Sequence, residues 1–174
     1  GQQAAYNNQI ANNSSKIQEL KRQQALANAR FTGGAPGTGP TCGGGYRGIW
    51  CNAPEDSLID DWRMYNRECV SYTAFKVHQD FLLGKNSRDM PYWGGIGNAN
   101  QWDDNARASG IPTGSTPRAG AIAISNSGFY GHAMYVESVN ADGTFNLSQY
   151  NAALDGRYST RNNVSPGGLV FIYF

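Results

Sequence analysis

The periodicity of this chain changes once, near Gly110, and that change limits the folds open to it. Before it, Val70, Ala74, Val77 and Phe81 recur at helical spacing until Gly84 ends the pattern, with Asn66 where an N-cap belongs. Asn98, with Gln101 three residues on, signals a second, shorter helix by an approximate capping box, carried on by Trp102 and Ala106 and closed by Gly110. After it, 121–125, 131–139, 144–150 and 168–174 are short β-rich segments separated by turn signals such as Asn140-Ala141-Asp142-Gly143, which predict antiparallel strands. Helices first and a meander after them make an α+β domain, with the helices packed on an antiparallel sheet.

Two stretches precede that domain. From Ala4 to Arg30 there is neither Gly nor Pro, and Ile10, Ile17 and Leu20 fall at heptad-like spacing, with Ala27 one heptad beyond Leu20. Asn13 and Gln24 stand where the seam calls for apolar residues, so an isolated N-terminal helix over 1–31 reads either as a coiled-coil remnant or as a solvated helix. Residues 32–47 then turn to Gly, Pro and Thr, a composition that cannot sustain a helix and reads as a linker, which leaves 48–174 as the main domain.

Fourteen Lys and Arg against 13 acids, net charge +1, give no field that would draw a nucleic acid. No apolar run is long enough to span a bilayer. The polar start at Gly1 reads as the beginning of a trimmed chain, so any export signal could have been removed ahead of it. Of three cysteines, Cys42 and Cys51 flank a short Gly-rich loop and can close it as a disulfide, which implies an oxidising compartment. The alternative is three reduced thiols, with Cys69 a small core residue.

Cys69 falls in the first turn of the predicted helix, where unpaired backbone N–H groups and the helix dipole favour a thiolate. A nucleophilic thiol also needs a base, and the chain has two histidines. His78 lies nine residues along the same helix, roughly 13 Å of rise away, beyond reach of the sulfur. His132 remains. In its predicted strand His132, Met134, Val136 and Ser138 share one face, which excludes Glu137 as the group that orients the imidazole. A four-residue loop over 140–143 would pair Val139 with Thr144, bringing Asn151 across from His132 and Gln149 across from Met134. Either amide is then a candidate to fix the imidazole tautomer.

MYNRECVSYTAF around Cys69, GNANQWDDNARASG, and GFYGHAMYVESVNADGTFNLSQYN resemble the CHAP family of amidohydrolases and peptidases, in the family's order and over roughly 60–174. The resemblance implies a papain-like fold, Cys69 as nucleophile, His132 as general base, and hydrolysis of an amide bond in peptidoglycan by a secreted or wall-associated bacterial protein. That bond would be the N-acetylmuramoyl-L-alanine linkage or one within the stem or cross-bridge peptides. Where the family usually carries a glutamate two residues before an asparagine, this chain has Gln149 and Asn151. A glutamine orients an imidazole but cannot neutralise an imidazolium, so a weaker activity or a displaced pH optimum is expected. Gly120-Ala121 stands where Gly-Asp is common, a departure with no catalytic reading.

The backbone N–H of Cys69 is the expected oxyanion donor. Tyr92, Trp93, Trp102 and Tyr130 are candidates to line a sugar-peptide groove, although aromatic residues in a domain of this size are more often core. Glu55, Asp56, Asp60 and Asp61 lack a calcium-loop spacing and read as a solvated face, so neither a metal nor another cofactor is expected. Two other functions fit the same residues: a wall-binding or division-complex module with impaired activity, and a cysteine protease acting on proteins. The N-terminal helix is a candidate site of self-association, or of a regulatory partner that lifts it from the active-site groove.

Overall fold

The computed structural model describes residues 2–33 and 37–174. Gly1 and residues 34–36, which carry the trimmed start and part of the linker reading, lie outside them. The helices are α1 (Gln2–Ala27), α2 (Ala29–Thr32), α3 (Gly48–Cys51), α4 (Cys69–Leu82) and α5 (Ala99–Ala108). The strands are β1 (Thr113–Gly114), β2 (Ile122–Ser125), β3 (His132–Val139), β4 (Phe145–Tyr150), β5 (Tyr158–Val164) and β6 (Val170–Ile172). They form one antiparallel sheet in the order β1-β6-β2-β3-β4-β5.

Strand alternation divides the core into two layers. Ile122, Ile124, Ala133, Tyr135, Tyr150 and Ile172 face α4 and α5, where Tyr72, Phe75, Val77 and Trp102 meet them. Ala123, Met134, Val136, Leu147 and Phe171 face the other way and pack with Phe31 of α2. Two buried hydroxyls tie α4 to the sheet: Tyr72 bonds Ser148 at 2.7 Å and Tyr135 donates to Asp80 at 2.6 Å. Together they fix the height of α4, and of Cys69 at its first turn, against β3.

The 37–47 stretch does more than link. Tyr158 donates its backbone N–H to Pro40, the Tyr150 hydroxyl donates to the Thr41 carbonyl at 2.8 Å, and Tyr46 is buried in the α4-side core. A disulfide joins Cys42 to Cys51 across nine residues. The Gly-rich composition lets this segment follow the sheet edge closely rather than hang free.

Three local readings differ from the structure. The helix cap is Glu68, not Asn66, whose buried amide is instead spent on the Trp50 and Pro54 carbonyls and the Leu58 N–H. β5 carries too little alternation in YSTRNNV to announce itself, because it is an edge strand with much of its length exposed. The 139–145 turn is one residue longer than expected, with Val139 opposite Phe145. A bulge at Glu137 absorbs the extra residue, so Tyr135 faces Ser148, which aligns Met134 with Gln149 in the register the site needs.

Candidate functional site

Cys69 is the first residue of α4, with the backbone N–H groups of Ala133, Val70 and Cys69 itself near its sulfur. These N–H groups favour an anion, yet burial and then the Glu68 charge outweigh them and push the thiol from 9.0 up to about 12. The first-turn position therefore does not by itself yield a resting thiolate. His132 opens β3 and lies buried, its Nε2 2.9 Å from Gln149 Oε1. Burial lowers its pKa from 6.5 to about 4 against the opposing pull of the Gln149 bond, so the imidazole is neutral at pH 7. With Nε2–H donated to Gln149, Nδ1 keeps the lone pair that can take a thiol proton.

Cys69 and His132 line one cavity of about 410 Å³, with Asp56, Arg63, Glu68 and Tyr130 among its walls. Asn151 also lines it but serves differently. Its Nδ2 donates to Glu68 at 2.8 Å and its Oδ1 accepts the Gly156 N–H at 2.7 Å, holding the turn after β4, where Asn151 itself has φ 61°. Of the two candidate amides, Gln149 is the one bonded to His132.

The four aromatic candidates separate. Tyr130 lines the cavity. Tyr92 is 74% exposed beside Ile59 and Arg63 and is not among the residues lining the cavity of Cys69. Trp93 and Trp102 are core residues rather than groove residues, with ring centroids 5.2 Å apart and both against Phe174. His78, excluded by distance, bonds Asp89 at 2.7 Å.

The acidic run is not a solvated face throughout. Asp60 is buried and accepts the N–H groups of Trp62 and Met64, while Asp61 pairs with Arg47 at 2.6 Å. The carboxylates of Glu55, Asp56 and Glu68 approach within 4.8 Å of one another, the one grouping of metal-ligating side chains among the described residues. Burial and its two acidic neighbours raise the Glu68 pKa well above the usual carboxylate range.

The sequence offered the N-terminal helix as a candidate to lie across the active-site groove, but it named none of that helix's residues as part of the site. Lys21, Gln24 and Asn28 line the cavity that holds Cys69 and His132. Gln24 is buried, and its Oε1 accepts the N–H of Tyr130 at 2.9 Å and of Gly131 at 3.2 Å. Its Nε2 donates to Ser127 O and to Asn28 Oδ1, and Asn28 Nδ2 donates to Ala152 O. At Gly128, where φ is +84°, a Cβ would fall 2.2 Å from the Gln24 amide, so the absence of a side chain there admits it. Gln24 was the break in the apolar seam, and that misplaced amide was the available signal.

A helix presenting a cysteine to a histidine on an antiparallel sheet, with a side-chain amide behind the imidazole, defines the class of cysteine–histidine sites on an α+β fold. The CHAP domain model matches residues 59–151, and the chain belongs to this family. It is 40% identical over 77 residues to a probable autolysin LDP of Staphylococcus aureus, a match covering 44% of this chain and 28% of that protein. It is 45% identical over 60 residues to the N-acetylmuramoyl-L-alanine amidase sle1 of the same species, covering 34% and 17%. A staphylococcal secretory antigen SsaA matches at 44% over 55 residues, covering 32% and 22%. The aligned regions thus span less than a third of these relatives' lengths. A crystal structure of an N-acetylmuramoyl-L-alanine amidase from Staphylococcus aureus superposes with a TM-score of 0.51 at 24% identity, covering 68% of this chain and 33% of that one, a likeness of fold.

Proposed function

We propose that this chain hydrolyses an amide bond of peptidoglycan, with Cys69 as nucleophile, His132 as general base and Gln149 as the residue that orients the imidazole. The observation that carries the proposal is the shared cavity of Cys69 and His132 with Gln149 bonded behind the ring, in a chain of the CHAP family. The Cys69 proton passes to His132 Nδ1 as the sulfur attacks the amide carbonyl. The oxyanion is met by the Cys69 N–H, and the protonated His132 gives its proton to the leaving amine. Water, deprotonated by His132, then resolves the thioester. The neutral state of both groups at rest fits a proton transfer that accompanies substrate entry rather than a preformed ion pair. The disulfide and the relative named as a secretory antigen support action outside the cell, at the wall.

The Gln24 contacts support a second element of this reading, that α1 covers the cleft. An amide side chain accepting two N–H groups beside His132 stands in the cavity that Cys69 and His132 line, and α1 ends at Ala27, one residue before α2. A partner of α1, or a second copy of the chain, would lift it.

Digestion of purified peptidoglycan and, in parallel, of a denatured protein tests the substrate. Release of muropeptides with new amino termini supports the proposal and names the bond. Faster cleavage of the protein would make it a general cysteine protease, and no release from either would leave a wall-binding module.

A further inference from the structure

Gln149 is completely buried, and all of its amide is in use. Nε2 donates to the Phe31 carbonyl at 2.7 Å and to Ser159 Oγ at 3.2 Å, while Oε1 faces His132 Nε2 at 2.9 Å. An amide has two unlike ends, and a 180° flip exchanges them. Here the flip would set Oε1 against the Phe31 carbonyl oxygen, two acceptors with no proton between them. The Phe31 carbonyl therefore holds Oε1 toward His132, which obliges the imidazole to carry its proton on Nε2 and to leave Nδ1 open.

Phe31 belongs to α2 and lies outside the residues the family model matches. Its ring, fully buried, packs on His132 at 5.9 Å between centroids. Arg30 anchors the segment by donating to the Ser165 and Gly167 carbonyls, with its guanidinium 4.8 Å from the Phe31 ring centroid.

We propose that Phe31 is a positioning residue: its carbonyl selects the His132 tautomer through Gln149, so glutamine is the residue this site is built to hold. The catalytic relevance of the tautomer rests on the hydrolase reading above, but the tautomer and the α2 contact do not need a substrate to be measured. Glutamate at 149 would have no N–H to give Phe31 or Ser159 while ionised, and α2 would be repelled. Protonated, it could again donate to Phe31 and accept from His132.

The test uses the full chain, wild type and Gln149→Glu. Nitrogen-15 spectra of wild-type His132 are expected to show the Nε2–H tautomer throughout pH 5–8. In Gln149→Glu, hydrogen-exchange protection of residues 29–33 should drop at least tenfold at pH 8 and return as the pH is lowered, a dependence absent from wild type. Peptidoglycan release at pH 7 should fall at least tenfold. An Nδ1–H tautomer in wild type overturns the inference, as does a Gln149→Glu chain with wild-type protection and an undiminished rate. If Gln149→Glu does not fold, the wild-type tautomer decides, together with Phe31→Leu, which keeps the carbonyl and should keep Nε2–H. Wild type inactive on peptidoglycan would count against the hydrolase reading and leave these spectra to decide this one.

Discussion

The side-chain oxygen of Gln24 accepts the backbone N–H of Tyr130 at 2.9 Å, two residues before His132. A residue of the N-terminal helix is thereby bound inside the cavity that holds the thiol. Gln24→Ala removes its hydrogen bonds to Tyr130, Gly131 and Ser127, each contributing about 1 kcal/mol net. The covered state should lose enough to raise both Cys69 alkylation and peptidoglycan release by at least roughly fivefold, read with iodoacetamide and by muropeptide yield. Unchanged rates would mean that α1 does not gate the site.

The depressed pKa of His132 makes a stability statement. The unfolded chain binds this proton near 6.5 and the folded chain only near 4, so the stability present above pH 6.5 is lost as the pH falls toward 4. The shift corresponds to about 3 kcal/mol. Denaturant unfolding of wild type and His132→Gln at pH 7 and pH 4 should show wild type losing that much more than the variant. Parallel pH profiles would contradict the buried neutral imidazole.

Glu68, the residue before Cys69, adds to the burial that raises the Cys69 pKa. Glu68→Gln keeps an oxygen for the Asn151 amide and removes the charge. Cys69 alkylation at pH 8 should accelerate by roughly threefold or more, with the thiol titration displaced downward. A slower reaction would assign Glu68 an activating role instead.

The disulfide from Cys42 to Cys51 closes a nine-residue separation beside the buried Tyr46 and Trp50. Loop entropy of that size gives about 2.5 kcal/mol, so Cys42→Ser should lower unfolding free energy by that order. Trp93→Ala should cost about 3–5 kcal/mol and leave KM for peptidoglycan nearly unchanged in the folded fraction, because the ring packs on Trp102 and Phe174. A large KM change with intact stability would return Trp93 to the groove.

What was legible in the sequence was local. The Asn98 and Gln101 capping box of α5 forms between residues three apart, and it is present in the structure. The register that aligns Gln149 with Met134 came from counting along β3 and β4, though the longer turn and the Glu137 bulge had to cancel for it to hold. Non-local competition defeated the rest. Asn66 had better partners than the start of α4, and Asn151 was taken by Glu68 and Gly156. Gln24 and Phe31 meet the site across more than 100 residues of chain, which no periodicity reports.

In the proposed reaction Cys69 attacks an amide of peptidoglycan. The most direct measurement is digestion of purified peptidoglycan by wild type and by Cys69→Ala, with released fragments read by mass and by new amino termini. Release by wild type and none by Cys69→Ala is the expected result, with the variant as stably folded. Equal release by both, or no release by either wild type or Gln24→Ala, would contradict it.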